Sequence, residues 1–158
     1  MENEKLNFIN KEFPQLLKKL TDDTMPKWGL MNARQMVEHL TDYIRIANGK
    51  NPESVVTPEE QLPAFRRFLE SEKQFRPDTK NPLNTGEPRP LRLNSLEDAI
   101  AEYQDELKYF YSVFEKDPGK ITSHPAFGPC NYEDWIKLHY KHLTHHARQF
   151  GLLAESEK

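Results

Sequence analysis

A chain of 158 residues with a formal net charge of −3 reads as one domain, long enough to bury about two-thirds of the surface its extended form exposes. Its lysines and arginines are dispersed, which excludes the basic face of a nucleic-acid binder, and no apolar run approaches the ~20 residues of a membrane span. A single cysteine, Cys130, excludes an internal disulfide, and the charged start MENEKLNFINKEF has no apolar signal core, so a cytoplasmic protein is expected.

Residues 4–20 predict a first helix with Leu6, Ile9, Phe13, Leu16, Leu17 and Leu20 on its apolar face. Pro14 should kink or split it, because proline lacks the backbone donor and clashes with the preceding turn. A connection, TDDTMPKWGLM, leads to a second helix capped by Asn32 and running to about Ala47, where Asn48-Gly49 is a stop signal. Met36, Leu40, Tyr43, Ile44 and Ala47 form its core stripe, with His39 at the edge and Glu38 expected to point outward. From Lys50 to Leu93 the chain is rich in proline, at Pro52, Pro58, Pro63, Pro77, Pro82, Pro88 and Pro90. One short helix is predicted there, over 63–73, with Phe65, Phe68 and Leu69 on its apolar side. The rest is an irregular link of a length usually found in functional or disordered loops. Ser95 then caps a third long helix, with Asp98 at the capping-box position, and Asp117-Pro118-Gly119 ends it. Leu96, Ile100, Tyr103, Leu107, Phe110 and Phe114 are spaced as the seam of a bundle helix. A short connection containing SHPAFGPCN leads to the last helix, capped by Asn131. The expected architecture is all-α: a four-helix bundle with a long proline-rich crossover between its second and third helices, over residues 1–158.

The last helix carries the chemistry. At ~100° per residue, Trp135, His142, His146, Gln149 and Leu153 share one stripe, flanked by Leu138 and His145 on one edge and His139 and Phe150 on the other. Glu133 faces away. Four of the six histidines thus stand where leucines are usual. An unpaired polar group in a core costs roughly 1–3 kcal/mol, so several need a common reason. A divalent ion supplies one, and His142 with His146 has the i, i+4 spacing by which one helix grips a metal. The natural third ligand is His39, facing the same interior from the second helix. Three nitrogens with an open position are the catalytic kind of site.

Two blocks, WGLMNARQMVEHL and HPAFGPCNYEDWIKLHYKHLTHHARQF, resemble the DinB / YfiT-like superfamily of metal-dependent hydrolases and thiol transferases, and most closely a bacterial branch with HPxFG and HxxHH signatures. The resemblance covers about a third of the chain and is weak between Gly49 and Leu93. It implies a four-helix bundle with a metal site near one end, the first ligand on His39, and the first and last histidines of HxxHH, His142 and His146, on the ion. Cys130 departs from the leucine usual in that branch.

Other residues have competing readings. His145 is read as supporting or packing against the ligands; His139 either donates to substrate or caps a polar pocket. Gln35 and Gln149 are supporting partners of the ligands or plain helix-surface amides. His124 anchors a turn or lines the pocket mouth. Arg76, Lys80, Arg89 and Arg92 attract an anionic substrate or, the preferred reading, form a solvated charged loop. Cys130 has no base spaced to activate it.

The function expected is metal-dependent activation of a small-molecule thiol or of water, in S-transfer or hydrolysis; the alternative is a non-catalytic metal-containing binding or stress-response module. Nitrogen ligation suits zinc, nickel or iron, and also copper. No general base is placed as in HExxH enzymes. The partner is a small-molecule substrate such as a low-molecular-weight thiol, with neither nucleic acid nor membrane, and a homodimer is left open. Residues 76–92 are expected to cover the metal end of the bundle.

Overall fold

The computed structural model describes residues 2–77 and 88–154. The chain is mostly helical. Helix α1 (Glu2–Asn7) continues through a π-helical turn (Phe8–Glu12) into α2 (Phe13–Leu17). The expected break at Pro14 takes this form because the proline occupies the first turn of α2, where its missing donor costs least. The turn before it widens so that Phe13 N–H reaches the carbonyl of Phe8. The helical path survives, and Phe8, Ile9, Phe13 and Leu17 stay buried.

Helix α3 (Ala33–Ala47) starts at a complete capping box: Asn32 Oδ1 accepts from Gln35 N–H at 2.8 Å, and Gln35 Oε1 accepts from Asn32 N–H at 2.9 Å. A short α4 (Leu62–Glu70) follows in the link, ending three residues earlier than the sequence pattern suggests. Helix α5 (Leu96–Lys116) begins at Ser95, whose side chain accepts from Asp98 N–H. It packs chiefly along α3, while its Tyr103 meets Phe13 of α2 and its Phe110 meets Tyr132 and His139 of the last helix. Arg45 of α3 pairs with Glu102 at 3.0 Å and Glu106 at 3.3 Å across this seam, and Asn48 donates to Glu106.

The all-helical expectation needs one correction. Residues of the SHPAFGPCN connection form an antiparallel hairpin, β1 (Thr122–His124) with β2 (Gly128–Cys130). Its turn is held by the His124 ring, whose Nδ1 accepts from Ala126 N–H and Phe127 N–H. Gly128 follows at φ 82, where a side chain would be strained and would press on Leu62. Strands of three residues are too short to show the alternation by which strands are recognised.

Helix α6 (Tyr132–Gln149) begins at a second capping box, Asn131 with Asp134, and packs against the N-terminal helical segment, α3 and α4. It stops at Gln149, with Gly151 at φ 72 just beyond. Leu153 therefore lies past the helix, not on its stripe, and its N–H turns back to the Ala147 carbonyl. Among the described residues no helix is long and apolar enough to cross a membrane.

Candidate metal centre

His39, in the middle of α3, and His142, in α6, are separated by 103 positions in the chain, yet their Nε2 atoms stand 2.9 Å apart. One ring nitrogen from each of His39, His142 and His146 lies within 4.8 Å of the others. Two nitrogens bound at ~2.1 Å to one tetrahedral ion stand about 3.4 Å apart, a value these separations bracket. The three rings meet edge to face, with centroids 4.7 to 4.9 Å apart.

Protonation fits a ligand role. Burial pushes His39 down to about 4, helped by the nearby His145 and Arg89, and holds His142 and His146 well below their usual value. All three are neutral near pH 7, so each keeps a lone pair to give. The donor set is three neutral imidazoles, the set of a zinc-like site with room for an exchangeable ligand.

The tautomer of His146 is fixed from outside the cluster. Gln149 Nε2 donates to the Trp28 carbonyl at 3.0 Å, and Gln149 Oε1 stands 2.6 Å from His146 Nδ1. The Trp28 carbonyl can only accept, so the amide cannot turn over without setting two acceptors face to face. Nδ1 of His146 must then carry the proton, and Nε2 is left for the cluster. Gly29 makes this possible. Its φ of 84 carries the WGLM turn over the end of α6, and a Cβ there would lie 2.8 Å from Gln149 Nε2. Lys27 N–H bonds the Gln149 carbonyl and completes the junction.

His39 and His142 are only half-buried, so the cluster is open on one side. His39 and Tyr43 reach a cleft of about 500 Å³ between α3 and residues 88–92. Those residues are tied to α3 at three levels. Gln35 Nε2 donates to the Arg89 carbonyl, the Glu38 carboxylate accepts from Arg92 N–H and Leu93 N–H, and Asp42 pairs with Arg89 and Arg92.

The family whose model matches residues 17–151 is described as Protein of unknown function (DUF1569). The chain belongs to the DUF1569 family. No curated protein and no solved structure matches it.

In this DUF1569 chain the remaining sequence-predicted residues fall into place around the three histidines. His145 lies outside the cluster of nitrogens: its ring sits between Trp28 at 5.7 Å and Phe75 at 5.9 Å and shares a hydrogen bond with the Phe75 backbone. Gln149 is the partner of a cluster histidine. Gln35, by contrast, is used by the helix cap and by Arg89, so it supports the link and not a ligand. His124 anchors its turn and is neutral, pushed down to about 3 by burial. His139 is buried between Phe110 and Trp135, its ring centroid 4.9 Å and 5.6 Å from theirs, and is likewise held down to about 3. Its Nε2 has no partner among the described residues. Cys130 is buried, donates to the Gly128 carbonyl, and has its thiol pushed up to about 12 by burial, which removes it as a nucleophile.

Glu38 requires correction. It is buried and turned to the link, where two backbone N–H groups satisfy its carboxylate. Two residues escape sequence reasoning. Tyr43, one turn after His39, places its ring 5.3 Å from His39 and 5.1 Å from His142; the i, i+4 step was the available signal. Asp42, three residues after His39, lines the cleft, and burial raises its pKa against the pull of Arg92 and Arg89. Lys80 lies outside the described residues.

Proposed function

We propose that this chain is a metal-dependent enzyme of the DinB / YfiT-like kind, in which His39, His142 and His146 hold a divalent ion that serves an S-transfer or hydrolysis on a small molecule. The observation that carries this reading is the convergence of three neutral imidazoles, from two helices, beside a cleft. The helical segments 2–17, α3, α5 and α6 are, in this reading, the four members of that superfamily's bundle, with α4 and the hairpin as additions.

When bound, a divalent ion supplies a Lewis acid able to lower the pKa of water from about 15.7 toward ~7, or to stabilise a thiolate. The chain's own residues do the rest. Neutral ligands leave the charge of the ion undiminished. Gln149, held by Trp28, fixes the His146 ring. Trp28, His145 and Phe75 form an aromatic wall on the His146 side, and Tyr43 walls the cluster toward His124. The acidic groups nearest in sequence to His39 are Glu38 and Asp42, of which Glu38 accepts from the Arg92 and Leu93 N–H groups and Asp42 pairs with Arg89 and Arg92. Among the described residues neither is a free base for hydrolysis, whereas thiol transfer needs mainly charge stabilisation, and this favours the thiol.

The test is spectroscopic. Cobalt-loaded protein titrated with low-molecular-weight thiols should develop a sulfur-to-metal charge-transfer band. If no thiol perturbs the spectrum while activated esters are cleaved with a rate rising near pH 7, the reaction is hydrolysis. If neither occurs and the metal does not exchange, the chain is a binding module.

A further inference from the structure

The cleft beside His39 contains three guanidinium groups in different states. Arg45 is closed off by Glu102 and Glu106, at 3.0 Å and 3.3 Å. Arg92 is shared among Glu102 at 3.0 Å, Asp42 at 3.5 Å and Glu38 at 3.6 Å. Among the described residues Arg89 has one acidic partner, Asp42, at 3.4 Å, and its side chain is 63% exposed. A guanidinium has five donors in a planar fork, and this pairing is too long to be a strong charge-assisted bond. Among the described residues that line the cleft, Arg89 is the cation with donors to spare.

Its position is set at both ends. The Arg89 carbonyl accepts from Gln35 Nε2 at 3.2 Å, and its guanidinium reaches Asp42. Gln35 lies four residues before His39 and Asp42 three residues after it. At about 1.5 Å of rise per residue, Arg89 is thus stretched along roughly 10 Å of α3 with His39 between its two anchors. Arg89 and His39 line the same cleft.

We infer that Arg89 is the recognition group for an anionic substrate, a small molecule whose carboxylate takes the guanidinium from Asp42 while its other end sits at the His39, His142 and His146 cluster. The planar fork of Arg89 can donate two parallel bonds to a carboxylate, an arrangement that Asp42, shared with Arg92, does not provide. The exchange leaves Asp42 on Arg92 alone. This assignment rests on the metal-enzyme reading for the role of the cluster but not for the anion contact itself.

Two thiols of similar size, 3-mercaptopropionate and the uncharged 2-mercaptoethanol, separate the charge from the sulfur. On cobalt-loaded protein with its metal content measured, the anion should bind on the order of tenfold more tightly. Arg89→Gln should abolish that preference without changing metal content, Arg89→Lys should keep part of it, and Asp42→Asn, which removes the competing carboxylate, should strengthen it. Equal affinities for the two thiols, or a preference that survives Arg89→Gln, overturn the assignment. A chain that takes up no metal refutes the metal reading instead. The anion contact is then decided on the metal-free protein by the Arg89 Nε–H resonance. A saturable shift with 3-mercaptopropionate and none with 2-mercaptoethanol supports it; no shift with either overturns it.

Discussion

Replacing Gln149 with leucine tests whether the metal centre is oriented from outside. The side chain keeps its approximate volume, but His146 Nδ1–H and the Trp28 carbonyl each lose a partner, at 2.6 Å and 3.0 Å respectively. Gln149 is buried, so water does not replace it freely. A buried group left unpaired costs roughly 1–3 kcal/mol. The His146 ring can turn to recover some of this, so a net loss of about 2 kcal/mol is expected, or a fall in Tm of roughly 4–8 °C for a domain of this size. Metal affinity should fall further than stability does, by about 10- to 100-fold, because a ligand imidazole without its outer partner loses both orientation and basicity. Competition against a chelator of known affinity reads the first effect and thermal melting of the metal-free protein reads the second. Gly29→Ala attacks the same bond from the other side, by driving a methyl to within 2.8 Å of Gln149 Nε2. If Gln149→Leu folds and binds metal within about twofold of the parent, the tautomer argument is wrong.

Other expectations follow from the same geometry. His142→Ala and His146→Ala should each abolish stoichiometric metal binding while His145→Ala only weakens it; the reverse ranking for His145 and His146 would show that the wrong ring faces the ion. His124 and His139 are both held to about 3, below the ordinary 6.5 of the unfolded chain, so the unfolded state binds more protons below that pH. Their contribution to stability is present above pH 6.5 and is lost as the pH falls toward 3, with a slope of up to about 1.4 kcal/mol per pH unit for each ring. Denaturant midpoints of the parent and of His139→Phe between pH 7.5 and 4.5 should show the variant losing about one proton's worth of slope; identical slopes contradict the buried neutral ring. Glu38→Ala strips the acceptor from Arg92 N–H and Leu93 N–H and should speed tryptic cleavage after Arg92, whereas an unchanged digest would mean that other contacts hold the link on α3.

What the sequence revealed was local. His142 and His146 were legible because helical spacing fixes which side chains share a face, and Asn32, Ser95 and Asn131 were legible as caps for the same reason. The match of His39 to them needed one long-range assumption, that α3 turns its polar edge to the interior. Where the outcome depended on the path of a loop, the pattern was silent. Glu38 reads as a solvent-facing acid until residues 92–93 bring two N–H groups to it, and Arg89 reads as one charge among several until Gln35 and Asp42 fix it beside His39. Gln149 was half legible: its place beside His146 follows from i, i+3, but its orientation depends on a carbonyl 121 positions away. The hairpin was missed because its ladder is three residues long and contains Pro129.

The central claim is that His39, His142 and His146 share one metal ion. Anomalous diffraction at the zinc edge from crystals of zinc-loaded protein tests it most directly. The account predicts a single strong peak per chain, about 2.1 Å from one ring nitrogen of each of the three histidines, with a non-protein ligand on the side of the cleft. No peak among these rings, or a peak that excludes His39, would contradict it.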